Sequence, residues 1–194
     1  MKKFNPELLE QKNGRLDAVL FKNSFLNIPE TLFYTIQVDL KDFSFQNHSI
    51  ETAVTLNSIR LDIHRIKELE NRVFEFPINP IEGYIDGSIY LFDVHNPFDV
   101  KKIEFNNWDN GSVDAGIHYD IDFEYENTGY EKITNCELKV RLVRGLLSID
   151  RDILSTEHFN PIESKKIVSK FVSLDDYEEP AIVHGQLIFK MKQN

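Results

Sequence analysis

The chain has 194 residues, 41% of them hydrophobic and 28% charged, with a formal net charge of −10. That length and composition suit one sizeable globular domain or two small ones and argue against bulk disorder. A single cysteine, Cys136, excludes an intrachain disulfide and a Cys-rich zinc site, and the acidic balance argues against nucleic acid and anionic membrane as direct partners.

The first residues, Met-Lys-Lys, open like a signal peptide, but Glu7, Glu10 and Lys12 interrupt any apolar run. No stretch approaches the roughly 18 apolar residues of a membrane helix. A cytoplasmic location is the default expectation. Asn5-Pro6-Glu7 offers a cap, a proline for the first helical position and a first-turn acid, which predicts a short N-terminal helix ending near Lys12-Asn13-Gly14. Residues 31–38 are rich in β-branched and aromatic side chains, and Ile59, Leu61 and Ile63 alternate with polar residues; both predict strands. Residues 65–71 suit a helical turn. Val73, Phe74 and Phe76 run into Pro77, as on an edge strand. Gly83 and Gly87 mark turns or close backbone approach. Residues 89–94 read as a buried strand, His95-Asn96-Pro97 as a turn, 100–105 as another strand and Asn110-Gly111 as a turn.

From 117 to 126 the alternation is strict. Ile117, Tyr119, Ile121, Phe123 and Tyr125 form one face; His118, Asp120, Asp122, Glu124 and Glu126 form the other. Asn127-Thr128-Gly129 supplies a turn, Leu138, Val140 and Leu142 alternate with Lys139 and Arg141, and 167–174 and 182–191 complete the strands. Helices of ten or more residues, which parallel crossovers need, are missing. The expectation is an all-β fold, an antiparallel β-sandwich with a short N-terminal helix.

The runs IDFEYENTGYEKITNCELKVRLV (121–143) and FNPIESKKIVSKFVSL (159–174) resemble the bacterial CARDB-type immunoglobulin-like sandwich. Asn127-Thr128-Gly129 matches its turn between strands, whereas Asn160-Pro161-Ile162-Glu163-Ser164 has Ile where a Gly is expected. The resemblance implies an immunoglobulin-like fold for residues 115–194. Residues 1–114 then make a β-rich N-terminal region, either separate or continuous with the rest.

Phosphate-loop, dinucleotide-binding, nucleophile-elbow and zinc-protease motifs are absent. Cys136 shares a strand face with Leu138 and Val140, which predicts an inert, buried thiol. None of the six histidines has metal-finger spacing. His118, Asp120 and Asp122 share a face, but residues two apart on a strand stand roughly 6.6 Å apart, too far to wrap a calcium ion alone. No metal or cofactor is expected. In the His95-Asn96-Pro97-Phe98-Asp99 loop, His95 and Asp99 suit acid–base chemistry, or His95 and Asn96 simply bond the turn's backbone.

Charge is the most informative feature. Residues 73–131 hold thirteen acids against two lysines, Lys101 and Lys102, so the whole net charge sits in the central third. Either the face from His118 to Glu126 is a solvated surface balanced by Lys139 and Arg141, or it meets a partner. The leading functional expectation is a non-enzymatic binding protein. Its acidic face (His118, Asp120, Asp122, Glu124, Glu126) would mask a basic protein partner, a toxin among the candidates, as small acidic bacterial immunity proteins do. The alternatives are a structural or adhesive immunoglobulin-like module, and a hydrolase using carboxylates such as Asp86, Asp93 or Asp99.

Overall fold

The computed structural model describes residues 1–192. In chain order these form β1 (Gln11–Asn23), β2 (Ile28–Leu40), β3 (Phe43–Phe45), β4 (His48–Ile50), β5 (Ala53–Ile59), β6 (Val73–Glu75), β7 (Asp86–Leu91), β8 (Val94–Asp109), β9 (Ser112–Ile121), β10 (Ile133–Ile149), α1 (Pro161–Val168), β11 (Ala181–Val183) and β12 (Gln186–Lys190). The protein is mostly β, as expected. Strands β1-β2-β5-β7-β8-β9-β10 pair in that order, and β1 returns to lie parallel to β10. Seven strands thereby close into a mixed barrel. Strands β12 and β11 extend the sheet from β10, β6 pairs with β8, and β3–β4 is a separate hairpin.

The barrel replaces the expected sandwich. Alternation reports one buried and one wet face, and a barrel wall presents the same pattern as a sandwich layer. The closing contact is the parallel pairing of Arg15–Leu20 with Val143–Ile149. It joins segments far apart in sequence and leaves no local signal. Residues 115–194 do not form a sandwich of their own; β9 and β10 stand between β8 and β1, and β9 begins at Ser112.

The helix is also elsewhere. At the N-terminus Asn5 Oδ1 accepts the Glu7 N–H, but only a three-residue 3-10 turn, Pro6–Leu8, follows. Lys12-Asn13-Gly14 lies inside β1. The same Asn-Pro cap builds α1: Asn160 Oδ1 accepts the N–H groups of Ile162 and Glu163, and Pro161 occupies the first turn. The strand expected over 167–174 is the end of α1 and the turns after it. Among the described residues, no helix is long and apolar enough to cross a membrane.

The interior is filled by inward-facing apolar residues: Leu16 and Leu20 from β1, Ile36 and Val38 from β2, Phe98 and Val100 from β8, Ile117, Tyr119 and Ile121 from β9. A bulge between Val100 and Lys102 shifts the phase of β8, so Ile103 and Phe105 point inward after it. Where β8 begins and β9 ends, Phe4, Phe92 and Phe123 pack with ring centroids 5.5–6.1 Å apart. Tyr130 stacks on Phe92 at 4.3 Å, so an aromatic plug seals this end.

Side chains staple the parallel seam. The Gln11 amide bonds both backbone groups of Arg141: Nε2 donates to the carbonyl and Oε1 accepts the N–H, each at 2.6 Å. Asp17 stands at the seam's register break and accepts the Leu146 N–H through Oδ1 at 2.9 Å. Gly145 makes this possible, because a Cβ there would collide with that carboxylate.

Candidate functional site

The acidic strand of the sequence reading is divided by the structure. Strand β9 ends at Ile121. Inward alternation holds to Phe123, which is fully buried, and fails at Tyr125, which is 71% exposed. Asp122 turns the chain: its Oδ1 accepts the N–H groups of Glu124 and Tyr125 at 3.0 and 3.1 Å. Such local side-chain bonding competes with the strand ladder. Glu124 and Glu126 therefore sit exposed in a turn, with Asn127 and Gly129 at positive φ. His118 and Asp120 remain on β9. Hence His118, Asp120, Asp122, Glu124 and Glu126 do not share one strand face.

A different acidic row appears across strands. Asp99 of β8 lies directly opposite Asp120 of β9. Ser88 of β7 pairs with Pro97 of β8, and continuing that register brings Asp86 across from Asp99. Facing like charges destabilise a sheet, so three aspartates on adjacent strands need relief. Lys101 Nζ lies 2.7 Å from Asp120 Oδ1, which also accepts the Asn135 N–H. Lys132 Nζ stands between Asp99 and Asp122, 3.6 and 3.7 Å from their Oδ2 atoms. Those distances are too long for hydrogen bonds, and an ion pair at the surface contributes roughly 0–1 kcal/mol. Asp86 makes no ion pair among the described residues. The bases expected to balance the face from His118 to Glu126 do not serve it: Arg141 pairs with Asp109 and Asp114, and Lys139 has no ion pair among the described residues. Beside the row, Glu104 meets Lys102 and His118. The Lys102 hydrogen bond holds its carboxyl below the usual range.

The row borders a cleft of about 460 Å³ on the outer wall. Asp86, Asp99 and Asp122 line it with Tyr84, Tyr125 and His95, and Pro80 and Pro97 complete its walls. Two sets of candidates thus meet, Asp122 from the acidic segment and His95, Asn96 and Asp99, which lie in strand β8 rather than in the expected loop. Their roles differ. Asn96 is fully buried, and its Nδ2 donates to the carbonyls of Leu91 and Val94 at 2.9 and 3.2 Å, so it braces the β7–β8 hairpin. The His95 ring stands edge-on to Tyr90 at 5.0 Å while the Asp99 carboxylate faces Lys132. They do not form an acid–base pair. Asp93 lies in the β7–β8 turn, apart from the cleft lining.

Gly87 shapes the cleft, since a Cβ would collide with the Phe98 carbonyl and push β7 from β8. Tyr84 was missed, because residues 77–85 have no periodicity to read. Cys136 is half-buried rather than buried, and desolvation and then the Asp120 carboxylate push its thiol pKa up. Among the described residues, no three His, Cys, Asp or Glu are placed to hold one metal ion. Three carboxylates lining one cleft make a setting that attracts cations. The chain matches no protein-family model, no curated protein and no solved structure.

Proposed function

We propose that this protein is a non-enzymatic binding protein that takes a basic segment of a protein partner against the acidic cleft of its barrel wall. The observation that carries this reading is the set of three carboxylates, Asp86, Asp99 and Asp122, that line one cleft together with Tyr84 and Tyr125. Neighbouring aspartates repel one another, whereas a basic partner gains both steering and contact from them. Occlusion of a basic surface, such as that of a toxin, needs no cofactor and no bond-breaking step.

The test is fluorescence anisotropy with a labelled oligoarginine peptide. Wild type binds with an affinity that falls as salt rises. Asp86→Asn/Asp122→Asn is expected to weaken binding about tenfold or more and to flatten the salt dependence. Equal affinity in the two proteins would refute the cleft as the site.

A second reading, a structural or adhesive module, is favoured by one observation. The tip of the β1–β2 hairpin exposes Phe25 at 92% and Leu26 at 60%, an apolar pair that a neighbouring module could cover.

A further inference from the structure

We infer that Arg144 heads a second binding site, for a single oxyanion group, in the gap between β9 and β12. These two strands follow one another along one edge of β10, opposite the edge held by β1. The β9 pairing ends at Val143–Ser112 and the β12 pairing begins at Leu146–Lys190, so the gap falls at Arg144 and Gly145. A cavity of about 370 Å³ opens there, lined by Asn110, Gly111, Ser112 and Arg144 with Met191. It shares no residue with the acidic cleft. The Arg144 guanidinium is held in one pose. Its carbon stands 5.2 Å from the centre of the Trp108 ring, and its Nη2 donates to the Lys192 carbonyl at 2.9 Å. It also lies close against Gly111, where a Cβ would stand 3.3 Å from both Nε and Nη2. A guanidinium carries five N–H donors, and its hydrogen bonds to described residues use one of them. Arg141, three positions earlier on β10, pairs with Asp109 and Asp114. Arg144 has no carboxylate partner among the described residues, although the chain carries a net charge of −10. A ring and a backbone carbonyl position it and leave its charge unneutralised. Ser112 is 8% exposed, and its hydroxyl has no hydrogen-bond partner among the described residues. A preorganised fork with free donors, beside a free hydroxyl, takes an oxyanion through charge-assisted hydrogen bonds without first having to be ordered.

Trp108 is the only tryptophan of the chain and lies against the binding group, so its fluorescence reports on the site. The test titrates the protein with sodium phosphate and, separately, with sodium acetate, at an ionic strength held constant with sodium chloride. Trp108 fluorescence and the amide shifts of residues 110–112 and 144 are recorded. At least one salt is expected to give a saturable change at these residues with a Kd of about 1–10 mM. Saturation by phosphate identifies a phosphoryl group as the ligand, and saturation by acetate a carboxylate. Arg144→Gln is expected to weaken binding about tenfold or more. No saturable change with either salt, or equal affinity in Arg144→Gln, overturns the inference. Should a thermal melt show Arg144→Gln to be unfolded, Arg144→Lys keeps the charge and loses the fork. It is expected to bind about threefold more weakly or worse, and unchanged binding by it would likewise overturn the inference.

Discussion

A single carboxylate, Asp17, completes the barrel. At the seam the backbone register of β1 against β10 breaks, and Asp17 Oδ1 takes the Leu146 N–H that the ladder leaves open. The carboxylate also meets Arg15 at 2.6 Å. Removing it forfeits a hydrogen bond to an exposed backbone donor that water can then solvate, a net loss of roughly 0.5–1.5 kcal/mol. Asp17→Ala is therefore expected to lower stability by about 0.5–1.5 kcal/mol in urea unfolding; an unchanged midpoint would show that the seam does not depend on it. Asp17 was not legible as important. In sequence it is one more polar residue in an alternating run, and its meaning comes from a strand more than a hundred positions away.

Strands and hairpins show how far local pattern reaches. The Asn110-Gly111 turn stands where its residues favour positive φ, at 45° and 78°. The β7–β8 turn instead falls on Phe92 and Asp93, at φ 60° and 63°, and the expected turn at His95-Asn96-Pro97 lies inside β8. Phe92 tolerates that strained conformation because it stacks on Tyr130 within the aromatic plug. Asn96, extended before a proline, fits a strand as well as a turn. In the candidate site, Asp99, Asp122 and His95 were readable from charge and loop chemistry. The turn at Asp122 and the Asp86–Asp99–Asp120 row were not, because both depend on which strands become neighbours. Gly87 was readable as a place of close approach, and it binds the element to the site: Gly87→Ala is expected to cost about 1–3 kcal/mol, as overpacking does. Denaturant unfolding checks this, and an unchanged midpoint would mean that β7 has room to shift.

At the scale of the whole molecule, the hydrophobic core holds three phenols away from water. Tyr34, Tyr119 and Tyr177 all have pKa values raised well above the ordinary tyrosine value, chiefly by burial. An unfolded chain ionises its tyrosines from about pH 10. The folded chain keeps these three protonated, so above that pH unfolding releases protons and stability falls as pH rises, by about 1.4 kcal/mol per unit for each group. Below about pH 10 they contribute no pH dependence. Tyrosinate absorbance is expected to show the signals of Tyr34, Tyr119 and Tyr177 appearing only with unfolding. Ionisation of these three before unfolding would mean that the interior admits water.

The same scale carries the functional account. The barrel turns its apolar residues inward, and the acidic central segment is left to form an outer wall with fewer cations than carboxylates. The most direct test is to titrate isotopically labelled protein with an oligoarginine peptide while recording amide shifts. The account predicts perturbations clustered at residues 84–88, 95–99 and 122–126. Shifts gathered elsewhere on the surface, or none at a saturating excess of peptide, would contradict it.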